Sequence, residues 1–227
     1  MTVTVDQALA ALEALAIPEK AAEMAAYHKS TRRFLGVSVP QIDDLTDAWR
    51  ADCTLEERLA LAAGLWTADI HETRIAAAKL LTQARIRPED DGAWALIQSW
   101  LPDFDGWAIA DHVMIAGQKR LVWQPDRIAT VEDWTQSPQM WTRRAALVIT
   151  LPFAKQNHPK PVENAIRERV LGWAARYSED PDWFIQKAVA WWLRDLSKHD
   201  ATRVQAWLAQ HGDRLKPFAR KEAAKHL

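Results

Sequence analysis

Five segments of this chain repeat one small pattern, and their spacing limits the folds open to it. Thr73-Arg74-Ile-Ala-Ala, Arg143-Arg144-Ala-Ala, Gln186-Lys187-Ala-Val and Arg220-Lys221-Glu-Ala-Ala each set a basic residue just before small apolar ones. In the last three an aromatic stands three positions earlier: Trp141, Phe184 and Phe218. Asp111 fills the same slot between Arg74 and Arg144, so slots at 74, 111, 144, 187 and 221 lie 37, 33, 43 and 34 residues apart. That period suits a solenoid of two-helix repeats, in which no pair buries its apolar face alone and stacked pairs share one core. Asp111 is an acid in a slot that is otherwise basic. Trp107 lies one helical turn before it, on the same face.

Composition agrees with helices and excludes several classes. The 227 residues contain only 7 glycines, and no strand-length run of β-branched residues is closed by turn signals, so an all-α chain is expected. Length alone allows one large domain or two small ones; with the repeat, one monomeric domain spanning 1–227 with a continuous core is expected. The lone Cys53 rules out an internal disulfide and a cysteine-rich metal site. The opening MTVTVDQALAAL lacks a signal peptide's basic start and apolar centre. The longest apolar run, near 145–154, is interrupted by Thr150 and Pro152 and is too short to cross a bilayer. A bacterial cytoplasmic or nucleoid location with no membrane partner is expected. The net charge of −1 conceals an asymmetry: residues 1–142 sum to −8 and residues 143–227 to +7. A basic half of that kind is what a polyanion-binding surface needs, although a solvated face balanced by the acidic half would look the same.

Helices are read over Asp6–Ala16, Pro18–Lys29, Pro40–Trp49, Thr54–Trp66, His71–Ala84, Asp91–Leu101 and from Trp107 onward. Further helices follow over Pro125–Trp134, Pro138–Phe153, Val162–Tyr177, Pro181–Lys198, Ala201–Gln210 and Leu215–Leu227. Ser30–Val39, with Arg32, Arg33, Phe34 and Gly36, is the least helical stretch. Asp103 or Asp105 reads as the cap of the Trp107 helix. Ser137-Pro138 and Asp180-Pro181 read as a cap followed by a proline at a helix start.

No Gly-rich phosphate loop, His-Glu-x-x-His or Gly-x-Ser-x-Gly motif occurs. His112 points about 100° away from Asp111 on a helix and has no second ligand at metal spacing, so it is read as structural. The excess is in tryptophan, 13 residues against 2 tyrosines and 5 phenylalanines. Most of these fill the core, and Trp66 belongs with them. Trp107 is set apart by sharing a face with Asp111, and Trp191 by following Lys187 by one turn. Trp192 follows Trp191 directly, so the two indoles point apart and are not buried alike. An indole face attracts a delocalised cation, and a carboxylate stabilises an oxocarbenium-like sugar and orients a water. A cationic leaving base departs neutral and needs no general acid, so one carboxylate suffices. The structural alternative for Asp111 is a buried salt bridge to Arg144.

The residues now on the page resemble the AlkD family of alkylpurine DNA glycosylases. The resemblance runs through Pro18–Lys29 with Tyr27, Phe34-Leu-Gly-Val37 with Pro40, Leu65-Trp66 and Glu72–Ala78. It continues through Trp107-x-x-x-Asp111, Trp141-x-x-Arg144-Ala-Ala, Phe184 to Arg194 and Arg220 to His226. It implies a right-handed α-solenoid of HEAT-like antiparallel helix pairs with a concave DNA-binding face. It further implies hydrolysis of the N-glycosidic bond of N3- and N7-alkylated purines in double-stranded DNA, without metal or cofactor. Asp111 would match the catalytic carboxylate, Arg144 its backbone-contacting partner, and Trp107 and Trp191 the aromatics beside the lesion's deoxyribose. Tyr27, Lys187, Arg194, Arg220 and Lys221 make up the expected DNA-binding set. Ala108 departs from the family, which often has an acid there, and that bears on rate or lesion range. The alternative readings are a DNA-binding paralogue that does not cleave and a protein-interaction scaffold.

Overall fold

Proline marks where many of the helices begin. Its ring fixes φ near the helical value, and the N–H it lacks is one that a first helical turn leaves unused. Seven of the eleven prolines, at 18, 40, 102, 125, 152, 161 and 217, stand in the first turn of a helix or 3-10 turn.

A computed structural model describes residues 3–227. Among them are fourteen α-helices: α1 (Val5–Glu13), α2 (Pro18–His28), α3 (Val39–Asp52), α4 (Leu55–Thr67), α5 (His71–Leu80), α6 (Asp91–Ser99) and α7 (Trp107–Trp123), then α8 (Ile128–Trp134), α9 (Met140–Ile149), α10 (Leu151–Ala154), α11 (Pro161–Arg176), α12 (Trp183–Ser197), α13 (Ala201–His211) and α14 (Pro217–Ala223). No strand forms among the described residues, and the expected all-α class is what the chain adopts. No described helix is long and apolar enough to cross a membrane.

The chain parts into two compact units, the first ending at Arg120 and the second spanning Leu121–Leu227. In the first, α5 is the central helix: α3 and α4 pack on it, and residues 71–78 are buried without interruption. Its Ala76-Ala77-Ala78 run lets those neighbours approach closely. In the second, α12 takes that place and packs on α9, α13 and α14. Val189, Trp192, Leu193 and Leu196 of α12 are each 0% exposed. A fully buried aliphatic side chain of this size contributes about 1.5–3 kcal/mol.

The non-helical stretch between α2 and α3 is pinned to α5 by one side chain. Glu72, 0% exposed, accepts the backbone N–H groups of Leu35 at 2.9 Å, Gly36 at 2.8 Å and Val37 at 3.3 Å. Extended backbone here has no ladder partner beyond the single Arg33–Ile70 bridge, so the carboxylate supplies the acceptors its buried donors require. Gly36 is obligatory twice over. Its φ is +81°, and a Cβ there would stand 2.3 Å from the Ile17 carbonyl oxygen.

Several boundaries differ from the sequence reading. Ser137 and Asp180 cap turns rather than helices: each side chain accepts the N–H two residues on, of Gln139 at 3.2 Å and of Asp182 at 2.9 Å. The helices then start two residues after the prolines, at Met140 and Trp183. The Pro138–Phe153 reading divides into α9 and α10 at Thr150, because Pro152 has no N–H to continue the ladder. Asp103 and Asp105 are engaged elsewhere. Asp103 accepts from the Trp66 indole at 2.8 Å and Asp105 from Arg32 at 2.8 Å, while Gly106 stands at the head of α7.

Candidate functional site

Eight of the 13 tryptophans are less than 9% exposed, as core packing requires. The remaining five are Trp107, Trp123, Trp141, Trp183 and Trp191. Four of these five stand at or beside the residues singled out from the sequence.

In the first unit, Trp107 begins α7 and Asp111 follows by one turn, both partly exposed. The α-helical pitch puts them on one face, as the four-residue spacing expects. The Trp107 indole is fixed from the α2 side. Tyr27, 71% exposed, meets it edge-on at 6.3 Å between ring centroids, and His28 lies 5.2 Å away. Behind His28 the stack continues through His71 at 4.9 Å, and Phe34 lies 4.3 Å from His71. Burial pushes both imidazoles down from their usual range, opposed at His28 by the Glu72 carboxylate, and His71 is brought to about 3. Both rings are therefore neutral at physiological pH. The cluster that seats Trp107 adds no positive charge beside the face that carries Asp111.

His28 and His71 carry no signal in the sequence, because each sits at a helix position where no periodicity distinguishes a ring stack from a surface imidazole. His112 Nδ1–H donates to the Ala108 carbonyl oxygen at 2.8 Å, a local helix contact. Among the described residues no group of three His, Cys, Asp or Glu side chains is placed to hold a metal ion.

Arg74 occupies the first basic slot and is committed to structure. It is 7% exposed, its guanidinium lies 4.4 Å above the Trp66 ring, and it pairs with Asp69 at 2.6 Å.

In the second unit the same slots again set cations on aromatic faces. Arg144, 1% exposed, donates to the Phe184 carbonyl at 2.9 Å and lies 5.1 Å from the Trp191 ring centroid. The Lys187 ammonium is 4.6 Å from the Trp183 ring and 4.9 Å from the Trp191 ring. Trp183, Lys187 and Trp191 recur every four residues along α12, so one helical stripe carries all three. Each such contact contributes about 0.5–2 kcal/mol. The aromatics that precede the slots also touch. Trp141 meets Phe184 at 4.7 Å, and Trp183 stacks on Phe218 at 5.5 Å. Trp183, Trp191 and Phe218, with Lys187, Ala190 and Glu222, line a cleft of about 310 Å³.

The other basic residues differ in their freedom. Arg194 pairs with Glu222 and Asp195, and Arg220 with Asp213 at 2.6 Å. Lys221 is exposed on α14. As expected, Trp191 and Trp192 part company: Trp192 is 0% exposed and Trp191 only partly covered. Trp183 is the residue that the repeat pattern missed. It lies one position outside the aromatic slot at Phe184, yet it is 46% exposed and forms one wall of the cleft.

A family model described as DNA alkylation repair enzyme matches residues 8–227. A search of the curated proteins found no match. A solved structure described as a predicted DNA alkylation repair enzyme from Enterococcus faecalis is similar over 92% of this chain and 95% of its own, at 21% identity and a TM-score of 0.78. AlkD2 from Streptococcus mutans is similar over 92% of this chain and 97% of its own, at 15% identity and a TM-score of 0.62. The smu.31 protein from Streptococcus mutans UA159 is similar over 83% and 92%, at 17% identity and a TM-score of 0.63. At these identities the likeness is one of fold.

Proposed function

Because the chain belongs to the DNA alkylation repair enzyme family, we propose that it is a monofunctional DNA glycosylase for N3- and N7-alkylated purines in double-stranded DNA. The observation that carries this reading is the pairing of Trp107 and Asp111 on one face of α7, with the indole seated by Tyr27 and a neutral His28–His71 stack.

Alkylation at N3 or N7 leaves the purine cationic, so the bond to C1′ breaks with the electron pair passing to a base that departs neutral. Positive charge then grows on the sugar. A carboxylate beside it lowers that barrier by electrostatics and turns a water toward C1′. Asp111 takes both roles, and the Trp107 indole face lies against the deoxyribose. In the second unit, Trp191 supplies a further aromatic surface, and Arg144, at 1% exposure, positions that indole from behind rather than making the DNA-backbone contact the resemblance implies. Lys187, Arg194, Arg220 and Lys221 meet phosphates. No group is required to protonate the leaving base, which agrees with a slot pattern holding one acid.

The test is release of free 3-methyladenine or 7-methylguanine from methylated duplex DNA by the purified chain, with chelator present. Release is expected. Tight binding of the methylated duplex without release would favour the non-cleaving paralogue.

A further inference from the structure

We propose that a cleft walled by the end of α3, the start of α4 and the link between α5 and α6 binds a phosphate-bearing anion of about the size of a diphosphate. The site shares no residue with Tyr27, Trp107 or Asp111, and the proposal does not depend on the glycosylase reading.

Four guanidinium side chains line the cleft: Arg50, Arg58, Arg85 and Arg87. Cys53 and Gln83 also line it, and no carboxylate does. Residues 1–120 hold 12 Lys and Arg against 18 Asp and Glu, so a third of that unit's cations gather in one concavity of an acidic surface. Like charges held together raise the energy of the fold unless a counter-charge joins them.

Two neighbouring acids are already engaged, one of them with a cleft arginine. Asp47 pairs with Arg50, whose Nη1 also donates to the Lys79 carbonyl at 3.2 Å, which anchors that guanidinium to α3 and α5. Glu57 accepts the Thr54 N–H at 2.8 Å and the Thr54 hydroxyl at 2.9 Å, closing the capping box of α4. Burial and the neighbouring Glu57 push the Cys53 thiol up, so it stays protonated at neutral pH and adds no negative charge.

Arg58 has an unmet hydrogen-bond donor. It is 6% exposed, and its Nη1 donates to the Gln83 side chain at 2.6 Å, but its buried Nε has no acceptor. Burial and then Arg50 push its guanidinium below the ordinary arginine range, the direction a bound anion would reverse. Arginine forks match phosphate oxygens in pairs, which a ring of lysines would not. The volume, about 420 Å³, lies within the range of about 300–1,000 Å³ common to small-ligand sites and exceeds what one phosphate fills.

The test is calorimetric titration of the full chain with pyrophosphate, alongside an Arg85→Gln/Arg87→Gln double variant. Both positions are exposed on the α5–α6 link, so helical content and Tm are expected to stay at the parental values. Saturable one-to-one binding is expected, weakened at least about tenfold in the double variant. Arg58→Lys keeps the charge and removes the fork, and a folded Arg58→Lys chain is expected to lose affinity as well. Absence of saturable binding at millimolar pyrophosphate, or equal affinity in the double variant, overturns the proposal. Competition then identifies the source of the phosphates. Displacement by undamaged duplex DNA assigns the cleft to neighbouring phosphates of a strand, and simultaneous binding assigns it to a free diphosphate-bearing molecule.

Discussion

The Glu72 carboxylate accepts the Gly36 backbone N–H at 2.8 Å in a place where the glutamate has no solvent exposure at all. That bond and its two companions hold the stretch before α3 against α5, and through Phe34 they support the ring stack that reaches Trp107. Glu72→Ala leaves three buried donors without an acceptor, at about 1–3 kcal/mol each. Even a total near 3 kcal/mol corresponds to a fall in Tm of about 6–12 °C for a chain of this length. Thermal unfolding followed by circular dichroism reads it. A fall of less than about 2 °C contradicts the pinning role, on the same scale.

Acid should loosen the same region. His71 is 4% exposed, and burial holds its folded value at about 3 against 6.5 when unfolded. Above 6.5 the imidazole is neutral in both states and its contribution is complete. As pH falls from 6.5 toward about 3 the unfolded chain takes up the proton and the folded chain does not, so stability declines. The decline reaches up to about 1.4 kcal/mol per pH unit. His71→Phe retains a ring beside Phe34 and removes the titration, so Tm measured against pH should flatten across this window. An unchanged profile contradicts the assignment.

Salt should separate free cations from committed ones. Each phosphate neutralised contributes about −0.9 to the slope of log affinity against log salt. Lys221 is exposed, whereas Arg220 already pairs with Asp213 at 2.6 Å. Lys221→Gln is therefore expected to reduce the slope by nearly a full phosphate contact, and Arg220→Gln by less. A parental slope near zero on duplex DNA removes the DNA reading altogether.

Much of this was legible because helices announce themselves locally. Proline in first turns, the capping box at Thr54 and a period-four stripe along α12 all depend on residues within one or two turns of each other. The slot pattern likewise expressed a real regularity, since cations at 74, 144 and 187 all rest on aromatic rings. What the sequence hid are contacts between residues far apart along the chain. Glu72 looked like an ordinary first-turn acid, yet its partners lie 35 to 37 residues upstream. The arginine cleft joins positions 50, 58, 85 and 87, which no short motif connects. The misplaced helix starts at Met140 and Trp183 have a local cause: a Ser or Asp before proline caps a turn as readily as a helix.

The central claim is that the Asp111 charge acts on the transition state, and Asp111→Asn tests it with little change of shape. Release of 7-methylguanine from methylated duplex, measured under single-turnover conditions, is expected to slow by more than about tenfold, a loss of at least about 1.4 kcal/mol. Tm and affinity for the duplex should stay close to the parental values, because phosphate contacts supply most of the binding. A folded Asp111→Asn chain that releases the base at the parental rate contradicts the account.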